Sequence, residues 1–568
     1  MQFFFSFNRI EESNDFIRFL SNDFPTYLTQ PTRLSDILAL FQHSGQITAI
    51  VEPEYIDRQY RDSYYSYFSQ KYSEYKQNCL RLAFFEGVVT SDDFIKNPKG
   101  LEQLFIGTIV LRPLNVGMIG QTLIDPKKLN LSCYLQTCNF CVTICGRKLH
   151  ISAFPFSSQD AETMTCAETS LYNLIRYYGE KYSEYHVLMP NEILSYIENA
   201  YYERVLPAKG IHEEYIAKVL SDAHFYPRLY TDITDLEDIL HIYIESGIPL
   251  ILGLPGHVVN CIGHGPIDYD FQNHDIIELV TIQKIEGKAY YYLSTSALID
   301  EYVVMDDNKT PYYVTPLDSL TAEYYCADNS PEDDSSEEED FSEEEVFSED
   351  GNFTENQILT SAISGDFWRS HNSIIVPLYR RIFIDAARAK QIFNHLFLKD
   401  TFFISSICET YGEPDWGCKA DNPFVWRIYL TSSNKYRDFK IQKAQNDDIA
   451  SYYMANTFPR FVWVLEIGTL TTFKQHQARI EILLDATSSI YSQNWGILSI
   501  AYKDHFVFTP SISPDVGITP DDTHDPEMPA NQAYLTAIFN SLYNEPVKLF
   551  GETFETFGNL EGINNGHA

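Results

Sequence analysis

The segment SSQDAETMTCAETSLYNLIRYYG (157–179) contains one cysteine, with a glutamine seven residues before it. After Cys166, the residues Leu171, Leu174, Ile175 and Tyr178 have the spacing of one helix face. The spacing predicts a helix over 165–178, with Gly179 as its stop. Thr165 and Glu168 stand at capping-box positions. Cys166 then lies in the first turn, where unpaired N–H groups and the helix dipole favour an anion. The thiolate is the nucleophilic form of cysteine, so the chemistry on offer is attack on an electrophilic carbon. The plainer reading is a small core residue, because free cysteine is among the most buried residue types.

A nucleophile needs a base. ESGIPLILGLPGHVVNCIGHG (245–265) reads as an apolar strand, a Pro-Gly break and a second strand opened by His257. Gly256 leaves room for approach to that imidazole. His264 is the other candidate; it follows the strand and precedes a Gly-Pro turn. EYVVMDDNKTPYYV (301–314) reads as a strand ending in Asp306, Asp307 and Asn308. A carboxylate or amide there can hold the imidazole tautomer, with Asp306 as first choice and Asp307 as the alternative orienter. Taken singly, His257 can be a core histidine, and Asp-Asp-Asn is ordinary turn chemistry.

The order of glutamine, cysteine on a helix, histidine opening a strand and acid ending a strand resembles papain-like cysteine peptidases, in particular the bacteriocin-processing branch. The residues that carry the likeness are Gln159 with Cys166, the helix ending in RYYG, the IPLILGLPGHVV segment and VVMDDNKTPY, all within about 150–320. Ala167 stands where the family often has glycine, and 49 residues separate His257 from Asp306. The resemblance implies an α+β domain of helices packed on an antiparallel sheet. It implies His257 as base, Asp306 as its orienter, and an oxyanion hole from the Gln159 side chain and the Cys166 N–H. The Gln159 amide is expected beside the sulfur, opposite His257. The same likeness implies no metal and no organic cofactor.

Other constellations compete less well. Cys133, Cys138, Cys141 and Cys145 begin with plant-type iron–sulfur spacing. However, NFCVTICGRKLHISAFPF (139–156) reads as a hairpin around Gly146, in which Cys138 and Cys141 point to opposite faces. Glu466 and Asp485 lie on apolar strands, where a glycosidase pair is conceivable. No Walker loop, HExxH or dinucleotide fingerprint occurs.

The elements that must position these residues belong to a chain of 568 residues, too long for one core. The expected fold class is α+β and multidomain: an N-terminal mixed α/β domain (1–150), a papain-like domain (151–325), an acidic disordered linker (326–356) and a C-terminal mixed α/β domain (357–568). In the first, 60–85 is helix-compatible and 104–114 is a strand candidate. In the second, helices are expected over 190–205, 210–222 and 235–246, followed by strands. In the last, a helix is expected near 385–397 and another near 529–543, with strands at 424–430, 460–468 and 477–486.

Charge narrows the partners. There are 41 basic and 79 acidic residues, a net charge of −38. Such a field repels phosphates and anionic lipid, so no nucleic acid and no membrane partner is expected. The N-terminus MQFFFSFNRIEESNDF lacks the basic region of a signal peptide, and the ten cysteines read as reduced thiols, so the expected location is cytoplasmic. Residues 328–350 hold 13 acidic residues in 23 and no basic one. Ser335, Ser336, Ser342 and Ser348 lie among them, which makes the segment a candidate docking or phosphorylation site.

The leading expectation is therefore a cysteine-nucleophile hydrolase, foremost a peptidase acting on a peptide or protein. Its rivals are a papain-like binding module without turnover, and a thiol acyltransferase or deamidase. Deleting 328–350 changes the charge from −38 to −25. It should leave the melting temperature within about 1 °C, because a segment with so little apolar surface among 13 acids contributes no core. A loss of several degrees in a thermal scan would show that it packs against something basic.

Overall fold

The computed structural model describes residues 3–508 apart from 42–44, 97, 200–210, 232–234, 268–279, 286, 329–371, 400–407, 409–415, 443–446, 476, 490–495 and 503–504. Beyond 508 it describes the strands Ala537–Asn540, Val547–Lys548 and Glu561–Asn564. The acidic linker expected over 326–356 thus falls almost wholly outside the described residues. The architecture is mixed α/β, with several largely antiparallel sheets.

The first sheet is antiparallel and orders Phe3–Asn8, Gln46–Tyr55, Cys79–Glu86, Phe105–Leu111 and Ile119–Ile124. Its inner strands are buried on both faces, so they read as continuous apolar runs without alternation. The helices Arg9–Asp23 and Pro31–Ala39 follow its first strand, and Phe16 meets Phe84 edge to face with ring centroids 6.3 Å apart. The long helix compatible with 60–85 is not formed. The helix stops at Ser66, a 3₁₀ turn covers Phe68–Gln70, and Cys79–Glu86 is a strand. Tertiary pairing decides here: that strand has a partner on each side, and its Arg81 is matched by Glu52 at 2.5 Å.

The second sheet orders Tyr313–Thr315, Tyr302–Met305, His257–His264, Leu250–Leu254, Ser373–Leu378 and Tyr226–Thr231, each pair antiparallel. Ser132–Leu135 also pairs with the end of the His257–His264 strand. The sheets therefore cross the boundaries expected at 150, 325 and 357. A strand from the first block and two from the last, Ser373–Leu378 and Glu561–Asn564, complete the sheet that carries His257. The third sheet likewise begins with Thr281–Ile285 and Lys288–Ser294. Lys288–Ser294 runs parallel to Phe424–Ser432, and Phe461–Thr469, Ile480–Asp485, Ile497–Tyr502, His505–Phe508 and Ala537–Asn540 follow. Within the helix expected near 529–543, the described residues Ala537–Asn540 are this last strand. Helices at Pro190–Glu198, Glu213–Asp222, Leu236–Glu245 and Ala386–Asn394 lie within the expected spans.

A buried charge network joins the second and third sheets. Arg427 donates through Nε to Glu245 Oε2 at 2.6 Å and through Nη1 to Glu466 Oε2 at 3.1 Å. His264 Nε2 lies 3.0 Å from Glu245 Oε1, and the Tyr429 hydroxyl donates to Glu466 Oε1 at 3.1 Å. All five residues are buried. Replacing Arg427 with Met leaves two carboxylates without their cation. The expected cost is about 3–5 kcal/mol, the usual result of breaking a buried pair from one side. Denaturant unfolding checks this; a change within about 1 kcal/mol would mean that the network does not bind the two sheets.

Candidate functional site

Cys166 is the first residue of the helix Cys166–Lys181, behind an extended Thr165. The Thr165 N–H donates to Glu168 Oε2 at 3.0 Å, and its hydroxyl donates to the same carboxylate. Glu168 is buried, and burial pushes its carboxyl up despite these bonds. The helix is pinned to the His257–His264 strand in both directions. Ser170 Oγ donates to the Val258 carbonyl at 3.1 Å, and Asn260 Nδ2 donates to the Ser170 carbonyl at 3.1 Å. The small, buried Ala167 permits this close seating.

The loop before the helix is tied by Asp160. Its Oδ1 accepts the N–H groups of Glu162, Thr163 and Met164 at 3.0, 2.7 and 2.9 Å. The loop is also held by the N-terminal part of the chain. Arg112 Nη2 donates to the Ser158 carbonyl at 2.6 Å. Gly117, at φ 71°, lies so close to Gln159 that a Cβ would sit 2.1 Å from its carbonyl oxygen. Only glycine fits there.

His257 follows the two-residue turn Pro255-Gly256, closed by the Leu254–His257 pair; Gly256 takes φ 61°. On its other side the strand pairs Asn260 with Met305. One step further along that register, Asp306 faces Val259, on the same side of the sheet as His257 and diagonal to it. His257 Nε2 lies 2.9 Å from Asp306 Oδ1 and 3.5 Å from Asp307 Oδ1. With Nε2 committed to Asp306, Nδ1 is the nitrogen left for a second partner, and Cys166 is the side chain that, after Asp306, favours a proton on the ring. The Asn308 N–H donates to Asp306 Oδ1 at 2.9 Å. Tyr324, from the helix Leu317–Asp328, stacks on the imidazole at 4.1 Å and 15° and donates its hydroxyl to Asp306 Oδ2 at 2.6 Å. Arg33 binds the carbonyls of Asp307, at 2.6 Å, and of Asn308.

These contacts set the charges. Burial alone would lower the His257 pKa, but its bonds to Asp306 and Cys166 and the charges of both aspartates outweigh it and push the imidazole up to about 10. Burial would raise Asp306, but the His257 bond and charge and the Tyr324 hydroxyl hold its carboxyl below the ordinary value. Burial, with the Asp306 charge, pushes Asp307 up to about 6; the His257 charge and the Gln159 N–H offset this only in part.

Of the residues singled out in the sequence, Cys166, His257, Asp306 and Asp307 come together here. Gln159 joins them from the side of the acids. Its N–H donates to Asp307 Oδ2 at 3.3 Å and its Nε2 to Asn308 Oδ1 at 3.3 Å, so its amide is turned to the Asp-Asp-Asn loop. His264 sits at the far end of the strand, bonded to Glu245 and to the Gly265 carbonyl, and takes no part. Cys138 is buried and Cys141 exposed on one hairpin strand, so the four cysteines do not converge. Glu466 is taken by Arg427, and Asp485 accepts from Thr487. Sequence reasoning missed Tyr324, Asp160, Arg33 and Arg112. An aspartate three residues before a threonine is a local turn signal that could have revealed Asp160. The other three act across long separations and leave no local trace.

No protein-family model, curated protein or solved structure matches the chain. Among the described residues, no helix is long and apolar enough to cross a membrane.

Asp306, with its depressed folded-state pKa, contributes stability that is present above the unfolded carboxyl range and lost as pH falls through the folded value. Tyr324→Phe keeps the ring over His257 but removes one bond to that carboxylate. Its acid-unfolding midpoint, followed by tryptophan fluorescence, should move to higher pH than in the wild type. An unchanged or lower midpoint would show that the Tyr324 hydroxyl does not support Asp306.

Proposed function

We propose that this chain is a thiol hydrolase of papain-like type, foremost a peptidase acting on cytoplasmic peptide or protein substrates. One observation carries the reading: a single buried imidazole, His257, bonds Asp306 through Nε2, and Cys166, which opens a helix, is the other side chain that favours its proton. That arrangement supplies a nucleophile, its base and the group that orients the base.

In this reading His257 takes the Cys166 proton, and the sulfur attacks a carbonyl carbon. The resulting oxyanion faces the free N–H groups of the first helical turn, including that of Cys166. The Gln159 amide, bonded to Asn308 in this structure, adds a second donor if it turns from that loop toward the sulfur. The tetrahedral adduct collapses as His257 protonates the leaving amine. Water, deprotonated by the same ring, then hydrolyses the thioester and returns the thiol. Asp306 stays ionised and keeps the ring in register for both transfers.

The test is labelling of the full chain with an electrophilic thiol probe, read by mass spectrometry. Cys166 should react first. Burial pushes Cys133 and Cys138 up to about 12 and Cys145 to about 11, so the exposed Cys141 is the natural internal control. His257→Ala should slow the Cys166 reaction by at least about 100-fold, as loss of a general base does, and His264→Ala should not. Gln159→Ala should leave labelling intact but lower amide turnover by about 10²–10³-fold. Labelling of Cys141 as fast as Cys166, or a larger effect of His264→Ala, would sink the assignment.

A further inference from the structure

We propose that His257, Asp306 and Asp307 form a site for a divalent transition metal of the zinc class, and that filling it silences Cys166; the second clause rests on the thiol-hydrolase reading above. Each of the three side chains offers one ligand atom, and these atoms all lie within 4.8 Å of one another. Zinc binds imidazole nitrogen and carboxylate oxygen at about 2.0–2.2 Å, which sets neighbouring tetrahedral ligands about 3.3 Å apart. The separations of 2.9 and 3.5 Å from His257 Nε2 to the two carboxylates bracket that value. The two carboxylates lie within 4.8 Å of each other, and binding would close them on the ion.

A second observation points the same way. Asp307 is 4 % exposed, and its Oδ1, aimed at the ring, has no hydrogen-bond partner. A buried carboxylate oxygen left in that state costs free energy that a cation recovers. The outer oxygens of both acids are already held: the Tyr324 hydroxyl bonds Asp306 Oδ2, and the Gln159 N–H bonds Asp307 Oδ2. Such outer partners orient metal ligands. The next residue, Asn308, is exposed, so the cluster lies one residue beneath the surface.

Inhibition follows from proton bookkeeping. Metal on Nε2 holds the neutral ring in the tautomer whose one proton sits on Nδ1, so the ring has no lone pair left to take the thiol proton.

Calorimetric titration of EDTA-stripped full-length protein with zinc chloride tests the site. Wild type should bind one equivalent. Cys166→Ser should bind like wild type, His257→Ala should not bind, and Asp307→Asn should bind at least about tenfold more weakly. Asp307→Asn keeps the shape of the side chain and an oxygen to accept the Gln159 N–H, so this variant should keep its structure. At saturating zinc the iodoacetamide rate at Cys166 should fall at least tenfold and recover with EDTA. No zinc binding, or binding lost in Cys166→Ser but kept in Asp307→Asn, overturns the site. If Cys166 of the stripped protein does not react at all, the thiol reading fails, while the calorimetry still decides the metal site.

Discussion

The 2.9 Å contact between His257 Nε2 and Asp306 Oδ1 is the interaction on which the candidate site depends. Both groups are buried, and a buried ion pair is tolerable only when its remaining donors and acceptors are also satisfied. The surrounding structure is arranged to that end. The Asn308 N–H and the Tyr324 hydroxyl occupy the other lone pairs of Asp306, and the Tyr324 ring covers one face of the imidazole. Arg33 fixes the backbone that carries the acids. The pair draws on residues from position 33 to position 324, so its geometry is a property of the assembled chain and not of one segment.

This explains what could and could not be read in advance. The Cys166 helix was legible because capping chemistry and apolar spacing are local: Thr165, Glu168 and Leu171 to Tyr178 all lie within a few turns. The His257 strand was legible because Pro255-Gly256 punctuates two apolar runs. Asp306 was found because it ends the neighbouring strand. The direction of the Gln159 amide was not legible; that depends on how Asp160 turns the loop and on how closely Gly117 approaches. Tyr324 gave no local signal, because its bond to Asp306 spans 18 residues. The helix-compatible run 60–85 misled because helical propensity is a weak prior, and the sheet needed Cys79–Glu86 as an inner strand.

The two buried charge clusters differ in kind. Around Arg427, one cation faces Glu245 and Glu466, and Glu245 is held well below the usual carboxylate range; burial raises it, but Arg427 and His264 more than reverse that. Around His257, two carboxylates face one imidazole, and Asp307 keeps an oxygen without a hydrogen bond. The first cluster serves cohesion between sheets. In the second, the atom left over is an acceptor, which suits a further positive group.

The strand Ser373–Leu378 lies between Leu250–Leu254 and Tyr226–Thr231, bonded on both sides. Leu250–Leu254 is in turn the immediate neighbour of the His257 strand. During synthesis the chain emerges at about 5–20 residues per second. Cys166, His257 and Asp306 are therefore all made well before the strand that fills the gap in their sheet. Until that strand arrives, Leu250–Leu254 presents an open edge, and the support beneath His257 is incomplete. The position of one late strand thus makes the order of synthesis a timer: the nucleophile and its base are present early, and the framework that aligns them closes only after more than half of the protein has been made.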